Sequence, residues 1–302
     1  MKTTVIHHSA DYDGIFCREI ARKFLPDAKL IGWDFADAPL TSFPDGNVVV
    51  MDLPVDRPYG FDFNKPETIL SVFGDVDGMK DANSRLVWID HHKSSIESHP
   101  KEIPGYRIDG VAACRLAWQW FTHNIANKED FIERKVSEPI AVRLAGEYDI
   151  WDKRHEWTDK FQFGLRLKEP KWDMLLQSNP SVESDAEVLD MVNSGEIAQG
   201  YQQKIDAGLV TYKSFRLKWE GLDFLCLNTG RFNSLTFAAL DKPETGHDAL
   251  LGFMWNGKVW TVSLYHANHR KDIDLSLIAV KHGGGGHKGA CGFTAKTLPF
   301  IP

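Results

Sequence analysis

Three short apolar runs in the first third of the chain each break off in acids or histidines: TTVIHHSADYD (Thr3–Asp13), NVVVMD (Asn47–Asp52) and RLVWIDHH (Arg85–His92). Such runs read as strands, here Thr3–His7, Asn47–Leu53 and Arg85–His92, with Lys29–Asp34 as a fourth. Gly14–Leu25 reads as a helix between the first two. Strands alternating with helices imply an α/β domain: a mostly parallel sheet with helices on both faces. Ligands of such sheets bind beyond the carboxyl ends of the strands, where these polar ends would converge.

A chain of 302 residues exceeds the usual single-domain size. Residues 183–214 turn polar and helix-compatible, which divides the chain into a catalytic domain at 1–185, a connecting helix or linker at 186–213 and a substrate domain at 214–302. The last part reads as a smaller α/β domain with a mixed sheet. SFRLKWEGLDFLCLN and ALLGFMWNGKVWTVSLY look like hairpins, the second turning at Asn256-Gly257. A helix at Asp272–Lys281 follows and runs into Gly283–Gly286.

A net charge of −7 disfavours coating long nucleic acid, which needs a Lys/Arg surface to displace counterions. Small anionic substrates remain compatible, because bound cations can make a pocket positive. The four cysteines form no C-x-x-C pair, so neither a zinc nor a disulfide framework is expected, and a reducing cytoplasm is the simplest setting. The start reaches acidic residues before an apolar h-region could form, and no apolar run approaches the length of a membrane span. Export and membrane attachment are therefore not expected.

His7, Asp11 and Asp13 form an H-x-x-x-D-x-D cluster whose imidazole and oxygens suit Mn²⁺, Mg²⁺ or Fe²⁺. The bland alternative is an Asx-rich turn capping the helix before Gly14. Strand alternation points His8 away from His7, so His8 is left out of the site, although a slip of one residue would exchange them. Asp52 alone would read as a loop cap. Asp90-His91-His92 ends an apolar strand, where an acid beside two imidazoles calls for shared protons or a metal. Gly146–Asp152 (GEYDIWD) adds acids after a helical stretch at Glu138–Ala145. Four such segments in one α/β chain point to a common site.

IDHH resembles the signature of the DHH phosphoesterase superfamily, and HHSADYDG, VVMD, DHH and GEYDIWD follow that family's order. GGGGHKGACGF is similar to the glycine-rich motif of the family's associated C-terminal domain, as in nanoRNase-like members, so the resemblance spans nearly the whole chain. It implies two divalent ions, Mn²⁺ first, with Mg²⁺, Fe²⁺ or Co²⁺ as alternatives. His7, Asp11 and Asp52 would hold one; Asp13, Asp52, His91 and Asp149 the other, with Asp52 shared. Asp90 would orient His91, leaving His92 to contact the phosphate or protonate the leaving oxygen. Four aspartates balance two divalent cations, leaving a cage that accepts an anion.

The resemblance further implies substrate binding by Gly284, Gly285, Gly286 and His287, with the reacting phosphate between the domains. Arg231 and Arg270, after strand-like runs, could line the pocket; Tyr265 stands where the family often has an arginine, and Arg270 could substitute. The expected activity is hydrolysis of short oligonucleotides or linear dinucleotides to 5′-mononucleotides. Alternatives are a phosphatase for 3′,5′-bisphosphorylated adenosine, a cyclic-dinucleotide phosphodiesterase and, outside enzymes, a nucleotide-sensing module. The expected partner is a short nucleotide, not long nucleic acid or a membrane, with homodimerisation left open.

Overall fold

The structure is a computed structural model that describes residues 2–300 except 36, 42, 43, 45, 61–85, 178–184 and 231. It divides into two compact units, Met1–Gln199 and Gly200–Pro302.

In the first unit, five strands form a wholly parallel sheet in the order β2-β1-β3-β4-β5. They are β1 (Thr3–His8), β2 (Lys29–Trp33), β3 (Asn47–Met51), β4 (Leu86–Asp90) and β5 (Gly105–Arg107). The helices are α1 (Tyr12–Phe24), α2 (Lys93–Ser98), α3 (Ala113–Phe121), α4 (Lys128–Ile132), α5 (Ile140–Asp149), α6 (Thr158–Leu167) and α7 (Trp172–Leu175). Helix α8 (Ala186–Lys213) carries the chain across the boundary between units.

The run Val48–Met51 is continuous because its residues feed two cores. Val49 and Met51 pack with Val5, Ile89, Phe16 of α1, Leu116 of α3 and Leu144 of α5. Val48 and Val50 join Ile6, Trp88 and, from the described cover of the other face, Leu53, Val55, Tyr59 and Ile103. Burying each such aliphatic side chain contributes about 1.5–3 kcal/mol, so the sheet is anchored from both sides. Helix α5 starts and ends later than Glu138–Ala145: Pro139 disfavours helical backbone at Glu138, and Asp149 becomes the last helical residue.

The second unit holds a mixed sheet in the order β10-β11-β9-β8-β7-β6, in which β7 and β8 are parallel and the other pairs antiparallel. Its strands are β6 (Phe215–Trp219), β7 (Leu222–Asn228), β8 (Ala249–Trp255), β9 (Trp260–His266), β10 (Gly285–His287) and β11 (Ala290–Ala295), with helix α9 (Ser276–Lys281). Both expected hairpins form. The tight two-residue turn, however, is Glu220-Gly221, where both φ angles are positive (51° and 77°) as a type I′ turn requires. Asn256-Gly257 lies in a longer loop closed by the Asn256 N–H on the Val259 carbonyl, 3.1 Å. Helix α9 begins later than Asp272, after the Asp274 carboxylate takes the Ser276 N–H at 3.1 Å.

Among the described residues, no helix is long and apolar enough to cross a membrane. All four cysteines are buried and free.

Candidate metal centre

Strand β3 pairs in parallel with both β1 and β4, so the carboxyl ends of these strands lie side by side. Asp52, one residue past β3, is buried, with its N–H on the Ile89 carbonyl at 2.9 Å and its backbone at φ 60°. A non-glycine residue in that left-handed region costs on the order of 1 kcal/mol, and such outliers gather at functional sites.

Asp11 is both cap and site residue. Its Oδ1 accepts the Gly14 N–H at 3.0 Å as the N-cap of α1, while its Oδ2 lies 2.9 Å from His8 Nδ1. His8 Nδ1 is also 3.5 Å from Asp52 Oδ2, and its Nε2 is 3.3 Å from Asp34 Oδ1. A Cβ on Gly14 would stand 2.2 Å from the His8 carbonyl oxygen, so glycine lets α1 begin against the end of β1.

Motif spacing pointed to His7, but the ring whose donor atoms gather with Asp11 and Asp52 is that of His8. The His7 side chain follows Val5 onto the α1 face of the sheet by strand alternation. There it is buried, with Nδ1 2.7 Å from the His8 carbonyl. His8, the last residue of β1, faces Asp11 and Asp52 instead.

Asp13 is buried at the start of α3, where its Oδ2 accepts the Ala113 N–H at 2.8 Å and its Oδ1 the Cys114 N–H at 2.7 Å. Helix N-termini hold anions in this way. His91 Nε2 lies 3.5 Å from Asp13 Oδ2, 3.4 Å from Asp52 Oδ1 and 3.3 Å from Asp149 Oδ2. Asp90 departs from its expected role. Its Oδ1 accepts the His91 backbone N–H at 2.8 Å but meets the ring of His92, not His91, at Nδ1 (2.7 Å). Asp34, at the end of β2, was missed by sequence reasoning; only its place at a strand end signalled it.

Burial and the neighbouring charges together set the titration of these groups. Burial alone would lower the His8 pKa, but hydrogen bonds with Asp11 and Asp52 raise it to about 11. Burial likewise opposes the rise of His91, which Asp52, Asp13 and Asp149 carry to about 10. Burial, then the charges of Asp52 and Asp149, push the Asp13 carboxyl well up. Burial raises Asp149 to about 6 against the pull of His91. Burial would raise Asp52 too, yet its bonds with His8 and His91 hold it below the usual carboxylate range. Without cations, protons on His8 and His91 balance the acids.

A pH dependence follows for chelator-treated protein. Histidines raised from 6.5 to about 10 and 11 stabilise the fold fully below pH 6.5, and this contribution is lost as pH rises through those higher values. The raised Asp13 and Asp149 act in the same sense at lower pH. The melting temperature of metal-free protein should thus fall progressively from about pH 6.5 to 10, and a saturating divalent cation should flatten the decline. A pH-independent melting temperature in chelator would refute the proton-for-cation exchange.

The residues fit divalent cations. Asp52 Oδ2 is buried and faces the His8 ring, whose Nδ1 stands 3.5 Å away, so the oxygen keeps acceptor capacity for a cation. Donor atoms of His8, Asp11 and Asp52 lie within 4.8 Å of one another, as do those of Asp13, His91 and Asp149 and those of Asp52, His91 and His92. Mixed imidazole and carboxylate donors suit Mn²⁺, Mg²⁺ or Fe²⁺.

In the second unit, Gly283 (φ 79°) and Gly284 close α9 in a Schellman arrangement. Their N–H groups donate to Val280 O (3.0 Å) and Ala279 O (2.8 Å). Of the amides expected to be free, that of Gly284 is spent on the helix end. Gly285, Gly286 and His287 form the edge strand β10 against β11. Arg270 is engaged by Asp248 and by Asp272, whose Oδ1 is 3.1 Å from its Nε, so its guanidinium is not free as an anion contact. Arg231 lies outside the described residues.

No family model and no curated protein matches the sequence. Among solved structures, the chain is similar to the DHH domain of a protein described as a member of a family of ribosomal proteins. That likeness has 13% identity, covers 97% of this chain and 82% of the other, and has a TM-score of 0.54. A pGpG-specific phosphodiesterase, PggH of Vibrio cholerae, shows 14% identity over 98% of this chain and 94% of its own, with a TM-score of 0.48. RecJ of Thermus thermophilus in complex with Mn²⁺ shows 12% identity over 97% of this chain and 49% of its own, also with a TM-score of 0.48. The chain thus has the fold of a DHH-domain protein, the fold that its strand-end motifs resemble.

Proposed function

We propose that the chain is a divalent-metal-dependent phosphoesterase that hydrolyses phosphodiester bonds of short oligonucleotides and linear dinucleotides to 5′-mononucleotides. The convergence of Asp11, Asp13, Asp52, Asp149, His8 and His91 at the carboxyl edge of a parallel sheet carries this reading. Cations held there would supply Lewis-acid stabilisation of the phosphoryl group and a water of lowered pKa.

The chain's own residues do the rest. Asp13, whose carboxylate is fixed by two α3 amides, and Asp52, whose backbone N–H is held by the Ile89 carbonyl of β4, need little reorganisation to present their carboxylates. Burial would lower the His92 pKa, but the hydrogen bond to Asp90 raises it. His92 is about a third exposed, with Nδ1 engaged by Asp90, which leaves its Nε2 to hand a proton to the leaving oxygen. The net charge of −7 favours short substrates over long polymers.

Product chromatography tests the reading on linear dinucleotides, short RNAs, 3′,5′-bisphosphorylated adenosine, cyclic dinucleotides and pyrophosphate, each with Mn²⁺, Mg²⁺ or Co²⁺. Dinucleotides and short RNAs should yield 5′-mononucleotides. If every compound stays intact in excess Mn²⁺, the enzyme reading fails and a nucleotide-binding module takes its place.

A further inference from the structure

Among the described residues of the first unit, the exposed Phe, Tyr and Trp side chains are Phe35 (54% exposed) and Trp151 (52%). They lie in different segments, Phe35 against a residue of the metal centre in space and Trp151 close to one along the chain. The Phe35 ring stands edge-on to His8 with centroids 5.8 Å apart. Trp151 follows Asp149 by two residues, just past the end of α5.

Neither ring is a loosely held surface residue. The Phe35 N–H donates to Asp34 Oδ1 at 2.8 Å, and its ring also packs edge-on against Trp33. Trp151 is held in the left-handed backbone region at φ 59°, an outlier for a bulky residue. Its N–H donates to the Tyr148 carbonyl at 3.1 Å, its ring meets Tyr148 edge-on, and Lys153 Nζ sits 3.5 Å from its centroid. Lys153 is fixed in turn by Asp159 at 2.7 Å. A strained backbone and a cation anchor an indole that still leaves half its surface to solvent. Core packing does not account for that cost, and strain of this kind collects where a side chain must be presented.

We infer that Phe35 and Trp151 are stacking platforms for the nucleobases of a substrate whose phosphate lies at the metal centre. The inference rests on the proposed reading of that centre and deepens it, because it selects base-bearing substrates over inorganic polyphosphates. Aromatic rings accept any base through its π-face, so the selectivity is for nucleotides as a class.

The test uses the full chain with Mn²⁺ and compares wild type, Phe35→Ala, Trp151→Ala and Trp151→Phe. Equilibrium dialysis measures binding of adenosine monophosphate and of inorganic phosphate. Wild type should bind the nucleotide more tightly than phosphate. At least one alanine variant should lose about 5- to 150-fold in nucleotide affinity, the scale of one stacked base, with phosphate affinity unchanged. Trp151→Phe should restore most of any loss at Trp151. In turnover of the linear dinucleotide ApA, both alanine variants should raise KM while kcat holds.

Equal weakening of both ligands would mean that the rings only support the metal-binding segments, and the inference falls. It falls too if wild type does not prefer the nucleotide, if neither alanine variant loses nucleotide affinity, or if KM for ApA is unchanged in either. Base-dependent binding without hydrolysis of any substrate would sustain the platforms and overturn the enzymatic reading instead.

Discussion

Replacing Asp52 is expected to abolish turnover, by about 10³-fold or more in kcat, because Lewis-acid stabilisation is worth several kcal/mol and each ~1.4 kcal/mol is tenfold. Its carboxylate is the member common to both sides of the cluster, with Oδ2 3.5 Å from His8 Nδ1 and Oδ1 3.4 Å from His91 Nε2. Asp52→Ala removes both donors and also places alanine at φ 60°. Asp52→Asn separates the two effects, since asparagine tolerates the left-handed region and keeps the shape while losing the charge. Steady-state kinetics with added Mn²⁺, alongside circular dichroism, provides the check. If folded Asp52→Asn keeps more than about a tenth of wild-type kcat, a loss of under ~1.4 kcal/mol, Asp52 is not the shared group.

The second large effect separates adjacent histidines. His8→Ala should weaken divalent-cation binding by at least about 100-fold, more than the loss of a supporting residue usually costs, and should also flatten the pH dependence of the metal-free melting temperature, because the protonated His8 no longer stabilises the fold. His7→Ala should leave cation affinity near wild type and lower the melting temperature at every pH. His7 is 3% exposed against α1, so its truncation leaves a cavity and costs about 2–4 kcal/mol of stability. Calorimetric titration with Mn²⁺ and thermal melts in chelator read the two quantities separately. A Mn²⁺ affinity lost in His7→Ala and kept in His8→Ala would restore the motif-spacing assignment and overturn the one drawn from the tertiary structure.

Much of the architecture was legible in particular residues. Val48–Met51 and Leu86–Ile89 are too uniformly apolar for a strand with one wet face, so a parallel sheet with two cores was implied by the residues themselves. That topology also gathers Asp52 and His91 at one edge, because parallel strands end on the same side. Asp11 and Asp13 belonged with them through their place at the end of β1. Asp149 was less direct: the acids of GEYDIWD marked the segment, but α3, α5 and β4 had to pack before Asp149 Oδ2 came within 3.3 Å of His91.

Elsewhere local pattern was silent. The Gly283–Gly286 run announced tight turns, yet whether its amides faced a ligand or a helix end depended on where α9 stopped. Asn256-Gly257 carried the stronger turn signal, but the two-residue turn formed at Glu220-Gly221, because cross-strand pairing of β6 with β7 fixed the register there.

Residue pattern was enough to set the alternating α/β order, the strands and the edge at which acids and histidines meet. These follow from side-chain periodicity and from parallel pairing, both local or nearly so. Which histidine of the His7-His8 pair faces that edge, and that Asp90 holds His92, emerged only from the packed fold. Alternation says that neighbours point oppositely, but which face carries the site depends on where α1 packs and how far β1 runs before it turns.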